Sequence, residues 1–199
     1  GVVAAERPVS FEPEALKAQS VAARSYLRRA INSPKHEGAD ICADSACCQA
    51  YLSREQLKSS WGDKYEAYIK KIKDAVAATD GEYLSYDGAP ALAAFHSSSD
   101  GATEDASALW SEVPYLKSVS SPEAGDSVPN FISRVECSEL DFRDTILYLK
   151  PEADMTGDAS AWVGKTEHSS SGRVASVSIG GVSFTGSELR QLFKLRATD

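Results

Sequence analysis

A chain of 199 residues with 42% hydrophobic content is long enough for one well-cored domain, with room for at most a small satellite. Its formal net charge of −8 speaks against a nucleic-acid partner, since such binders present basic surfaces. No apolar run approaches the roughly 18–20 residues needed to span a bilayer, and no charged–apolar–small leader pattern opens the chain.

The chain opens with the short apolar segment Val2-Val3-Ala4-Ala5, a carboxylate at Glu6 and a proline turn. A helix follows. Pro13 suits its first turn, Glu12 and Glu14 complement the positive end of its dipole, and Leu16, Val21, Ala23, Leu27, Ala30 and Ile31 recur near helical spacing. Ser33-Pro34 ends it. Residues 34–52 are rich in Cys, Asp, Ala and Gly without periodicity and read as a loop or insertion. From Ser53 a pair of helices is predicted, opened by a Ser53/Gln56 capping box and carrying an apolar stripe of Trp61, Tyr65, Tyr68, Ile69, Ile72 and Val76.

Asp87-Gly88 between two short apolar runs signals a hairpin whose second strand leads to His96 and to Ser97, Ser98 and Ser99. Such a polar strand end presents a site or is a plain loop. Residues 111–130 hold three prolines and read as an extended connection, and 131–150 as mostly helical. Alternating stretches at 161–166 and 173–179, then Gly180-Gly181 and VSFT, predict an antiparallel meander, with Ser187 capping a last helical turn. Helices and strands are segregated, so the fold class is α+β: one domain over 1–199, several helices with short antiparallel strands.

His36, Cys42, Cys47 and Cys48 lie within thirteen residues, and Cys137 stands apart. One His and three Cys satisfy a tetrahedral zinc site. Disulfides compete, although a bond between adjacent cysteines is strained and a Cys42–Cys47 bond leaves an odd thiol. Buried, unliganded thiols are the third reading. A serine hydrolase reading of His96-Ser97 lacks a G-x-S-x-G elbow, and no glycine-rich phosphate loop occurs. Three clustered thiols also favour a metal over a single activated nucleophile.

Four separated blocks carry a resemblance that covers nearly the whole chain. VVAAERP and EALKAQSVAARSY, then AFHSSSDGATEDASALW with VPYLKSVSSP, and finally GSELRQLFKLRATD resemble, in order, the signature blocks of the stage II sporulation protein D family. Three departures from it stand out: Arg7 stands where the family has Met, Asp100 where it usually has Gly, and the Cys47-Cys48 pair where relatives carry a His at one of the two positions. The resemblance implies a glycan-binding groove and a structural zinc on His36, Cys42, Cys47 and Cys48, as in one branch of the family. It also implies an extracytoplasmic place at the sporulation septum on the mother-cell membrane, with an N-terminal anchor preceding this sequence. The implied partners are peptidoglycan glycan strands, a septal amidase and a membrane scaffold of the engulfment machinery.

The activity implied is that of a lytic transglycosylase acting on the MurNAc–GlcNAc bond of peptide-stripped strands and leaving 1,6-anhydro-muramic ends. Such chemistry needs one carboxylic acid in a partly apolar pocket to protonate the leaving oxygen and then take the proton of the attacking hydroxyl. The second carboxylate of ordinary glycosidases is dispensable, because the nucleophile is intramolecular. Glu6 follows an apolar run and matches the family's motif glutamate; Glu14 is the runner-up, and a surface ion pair with Arg7 or Arg24 is the alternative reading of Glu6. Lys17, Gln19, Arg24 and Tyr26 on the helix, with Ser97, Ser98, Ser99, Thr103 and Glu104 in the second block, are the substrate-contact candidates. The competing class is a non-catalytic glycan-binding or scaffold module of the septal machinery.

Overall fold

The computed structural model describes residues 1–123, 128 and 131–196. By internal contacts the chain divides into two compact units, Gly1–Phe95 and His96–Asp199. The regular elements of the described residues are helices and short antiparallel sheets, the α+β content expected.

The first unit is helical. The opening apolar segment is a short helix, α1 (Val2–Glu6), with Val3 buried and Glu6 as its last residue. A turn closed by Phe11 N–H on Pro8 O leads to α2 (Pro13–Asn32), with Pro13 in the first turn and Ser33 closing the last. The buried face of α2 is Leu16, Gln19, Ser20 and Ser25 rather than the expected apolar series, and Ile31 is exposed. Small hydroxyl residues pack there because their side chains bond back to the helix: Ser20 Oγ to Leu16 O at 2.7 Å and Ser25 Oγ to Val21 O at 2.7 Å.

Ser53 and Gln56 form the predicted capping box of α3 (Arg54–Trp61), and α4 (Tyr65–Ala78) follows after a single 3-10 turn. Ile72 and Ala75 of α4 meet Val3 and Leu16 in the core, with Val9 and Trp61 against them; Val76 turns outward. The predicted hairpin forms from β1 (Ser85–Tyr86) and β2 (Ala89–Pro90). Asp87 and Gly88 both have positive φ, the two-residue turn that Asp-Gly favours. Strand β2 stops at Pro90, earlier than expected.

In the second unit, β3 (Gly101–Ala102) pairs with β4 (Ser120–Ser121), and α5 (Ala106–Leu109) is capped by Asp105. Of the extended connection expected over 111–130, residues 124–127, 129 and 130 lie outside the described residues, as do the last three residues of the closing block. The helix expected over 131–150 is shorter. Ser138 Oγ accepts from Asp141 N and so starts α6 (Glu139–Leu149), leaving 131–138 as irregular chain. The meander is as predicted: β5 (Val163–His168), β6 (Val174–Ile179) and β7 (Val182–Thr185).

Gly180 and Gly181, both at positive φ, make the last turn, and a Cβ on Gly180 would lie 2.8 Å from the Asp154 backbone. The cap of α7 (Gly186–Phe193) is Thr185 rather than Ser187, because Thr185 and Glu188 close a capping box at the strand end. Phe184 and Ile146, fully buried, centre this core with Trp162, Val177 and Ile179, and Phe142 stacks between Trp162 and Phe193.

Candidate functional site

Two groups of candidate residues meet in the first unit. Burial of Val3 anchors α1, and the turn after it is tied down by Lys71, whose Nζ donates to Val9 O at 2.9 Å and Phe11 O at 2.6 Å. Glu6 is thereby held half-buried at the end of α1. Its Oε1 accepts the backbone N–H of Ala50 at 3.0 Å. The described residues give Oε2 no hydrogen bond and Glu6 no ion pair, so neither Arg7 nor Arg24 neutralises it. Arg7 instead donates from Nε to Gln19 Oε1 at 3.1 Å, with its guanidinium 5.3 Å over the Phe95 ring. Because arginine only donates, this bond fixes the Gln19 amide with Nε2 on the other side. Among the described residues Nε2 of Gln19 is buried without a hydrogen-bond partner, and so is Nε2 of Gln49, the residue before Ala50.

The second group is the thiol–imidazole cluster. His36, Cys42, Cys47 and Cys48 place their donor atoms within 4.8 Å of one another. His36 Nε2 stands 3.3 Å from Cys48 Sγ and 3.6 Å from Cys47 Sγ, and the latter two sulfurs are 4.0 Å apart. Bonds of about 2.3 Å to sulfur and 2.0–2.1 Å to nitrogen put the ligand atoms of a tetrahedral zinc roughly 3.5–3.8 Å apart, so this donor set could hold such an ion. All four cysteines are free thiols, and the disulfide reading fails on this point.

The cluster polarises its members unequally. A hydrogen bond from the Cys42 backbone, then one from His36, brings Cys48 down to about 6. Hydrogen bonds shared with Cys42 and Cys48 push Cys47 up to about 11. Tyr26 belongs here too: burial, then its hydrogen bond to Cys48 and the neighbouring thiolate charge, raises its phenol to about 12.

The other candidates are accounted for locally. Glu14 is exposed and paired with Lys17 at 2.6 Å, without the enclosure a general acid needs. Arg24 clamps α2 to the end of α4, donating to Glu82 O at 2.6 Å and Val76 O at 3.4 Å. In the second unit Ser97 is exposed, while Ser98 Oγ and the Ser99 N–H both bond Glu123, at 2.7 and 2.8 Å. Thr103 pairs with Val119 through backbone and side chain. Glu104 accepts from Ser169 Oγ and Ser171 Oγ, each at 2.6 Å. Burial works to raise the Glu104 carboxyl, but those hydroxyls, the Asp105 N–H and the charge of Arg173 outweigh it and hold it below the ordinary range.

Three participants escaped the sequence reading. Ala50 acts through its backbone, which leaves no mark on residue type. Phe95 and Glu123 carried no spacing signal, although Phe95 lies within the second block and Glu123 directly follows it.

Comparison with known proteins agrees with the motif blocks. Residues 1–86 match the family model described as Stage II sporulation protein, SpoIID. Stage II sporulation protein D of Bacillus subtilis (strain 168) is 39% identical over 207 residues, and that of Bacillus amyloliquefaciens 37% over 203, each alignment covering all of this chain. The chain spans 57% of the length of both relatives. The amidase enhancer of Bacillus subtilis (strain 168) is 29% identical over 202 residues, covering 98% of this chain and 26% of that protein. Glu6, Gln19 and the cluster of cysteines all fall within the stretch matched by the family model, and over its whole length the chain is similar to the stage II sporulation protein D relatives.

Proposed function

We propose that this chain is the glycan-cleaving part of a sporulation protein: a lytic transglycosylase that cuts peptide-stripped peptidoglycan strands during engulfment, with Glu6 as its acid and base. The observation that carries this reading is the state of Glu6. It is half-buried, with one oxygen held by a peptide N–H and, among the described residues, no ion pair and no hydrogen bond to the other oxygen. A neutral carboxylic acid has one accepting and one donating oxygen, so the N–H on Oε1 favours Oε2 as the hydroxyl. That hydroxyl gives its proton to the glycosidic oxygen as the C1–O bond after the muramic residue breaks. The carboxylate then takes the proton of the sugar's own 6-hydroxyl as O6 bonds to C1. Water is not consumed, and no second carboxylate is required.

His36, Cys42, Cys47 and Cys48 would hold one zinc ion. Four protein ligands leave no open position for water, so the ion supplies structural closure of a loop that has little core of its own. The amidase-enhancer relative supports a partnership with an amidase of the septal machinery and its membrane scaffold. The sporulation relatives support placement on the extracytoplasmic face of the septum, through an anchor outside this sequence.

A non-catalytic glycan-binding module is the second reading. It is favoured by the internal bonds that occupy Ser98, Ser99, Thr103 and Glu104. Mass spectrometry of peptide-free strands, incubated with wild type and with Glu6→Gln, separates the two. Anhydro-muramic ends made only by the wild type are expected. Reducing ends would mean hydrolysis, unchanged product from Glu6→Gln would move the acid to Glu14, and retained binding without any product would establish the binding module.

A further inference from the structure

The cluster and the acid are joined by a very short piece of chain. Cys48 is a cluster member, Gln49 is buried, and Ala50 gives its N–H to Glu6 Oε1. Resting on the reading of Glu6 as the acid, we propose that the His36–Cys42–Cys47–Cys48 cluster is a positioning device for catalysis. Closed around one metal ion, it holds the Ala50 peptide against Glu6 Oε1 and so designates Oε2 as the oxygen that exchanges the proton.

What holds this loop supports the assignment. Between Ser33 and Ala50 the chain has only an isolated bridge, His36 to Ala39, and Gln49 is its sole buried residue. Turn bonds from the Cys47 and Cys48 N–H groups to Asp44 O shape the segment internally but do not dock it. Docking comes at two points. One is the cluster, whose thiols stand close enough to the Tyr26 phenol of α2 to act on it electrostatically. The other is the Ala50–Glu6 contact itself.

Two residues of chain reach at most about 7 Å, so a shift at Cys48 has little slack in which to dissipate before Ala50. The bond at 3.0 Å loses its strength once the atoms part by roughly another half ångström. Opening the cluster by the width of one misplaced ligand is therefore enough to release the acid. The buried, unpartnered Nε2 of Gln49 points the same way: burial of an unsatisfied amide is unfavourable, and a loop held only by its own packing would relax to wet it.

The test follows the Ala50 amide by nitrogen-15 NMR in the full 199-residue chain, loaded with zinc, stripped by a chelator, and in Cys42→Ser. In the zinc-loaded chain the Ala50 proton should exchange slowly and its shift should follow a pH step that disappears in Glu6→Gln. Stripping, or Cys42→Ser, should speed its exchange at least about tenfold and remove the pH step. On glycan strands the same changes should lower kcat with KM nearly constant, as expected when an acid is displaced and binding is not.

An Ala50 amide whose protection and pH step survive metal removal overturns the proposal. So does a cluster that binds no metal, or a loss of protection spread evenly over the unit, which would mark a purely structural ion. If Glu6→Gln cleaves like the wild type, the assignment of the acid fails instead, and the amide measurement still decides whether metal and carboxylate are coupled.

Discussion

The metal reading can be tested by counting thiols. The chain has four cysteines; three belong to the cluster and the fourth, Cys137, is exposed. In the stripped protein a thiol reagent should titrate four groups, and after one equivalent of zinc only Cys137 should remain reactive. The energetic counterpart follows from mass action. Free zinc at 100 times its dissociation constant stabilises the folded state by about 2.7 kcal/mol if the unfolded chain binds none. For a chain of this length that corresponds to a rise in Tm of roughly 5–11 °C. Thermal melts recorded against zinc activity, with the thiol count taken on the same samples, give both numbers. Thiols that stay reactive at saturating zinc with an unmoved Tm would refute the reasoning. So would thiols that disappear in pairs under air without regard to zinc, which would return the disulfide reading.

Three further outcomes are expected. Ser25 is fully buried, donates to Val21 O and accepts the Leu84 N–H at 2.8 Å, so Ser25→Ala removes both bonds, leaves the part-buried Leu84 N–H without its acceptor and should cost about 1–3 kcal/mol in urea unfolding; a loss under 0.5 kcal/mol would mean that water replaces the hydroxyl. Glu104 is depressed in the folded state, so its contribution is complete above the unfolded value of about 4.3 and is lost as pH falls through the folded value. Glu104→Gln should accordingly flatten the fall of Tm on acidification below about pH 4.5, and parallel acid limbs in the two proteins would contradict this. Gly180→Ala places a Cβ 2.8 Å from the Asp154 backbone at φ +55°, and should destabilise the second unit by about 1–3 kcal/mol by calorimetry; a neutral effect would show that the turn shifts freely.

What was legible in the sequence were features written in local chemistry. Pro13 and Ser33 bracket α2, Ser53 with Gln56 opens α3, and Asp87-Gly88 and Gly180-Gly181 mark the two hairpin turns, because caps and tight turns depend on residues a few positions apart. The cluster was legible for the same reason, since its four members sit close in sequence. Misreadings arose where two local signals competed. Thr185 outbids Ser187 as a cap because Glu188 lies three residues after it, and Ser138 starts α6 where the apolar pattern of 131–137 suggested continuous helix.

Long-range partners were not legible. Tyr26 joins the thiols, Glu104 meets serines more than sixty residues away, and Arg7 finds Gln19 and Phe95, all pairings set by packing.

The support of Glu6 by Ala50 has a practical consequence for mapping the site by mutagenesis. Scanning replaces side chains, and position 50 already carries the residue that a scan would introduce. Substituting any other side chain there, proline excepted, leaves the N–H in place. A survey of single substitutions would therefore score this position as tolerant and assign the sensitivity to its neighbours, the cysteines and Glu6. A map of mutational effects would then draw the cysteine loop and Glu6 as two separate hot spots, with the hydrogen bond that links them falling in the gap.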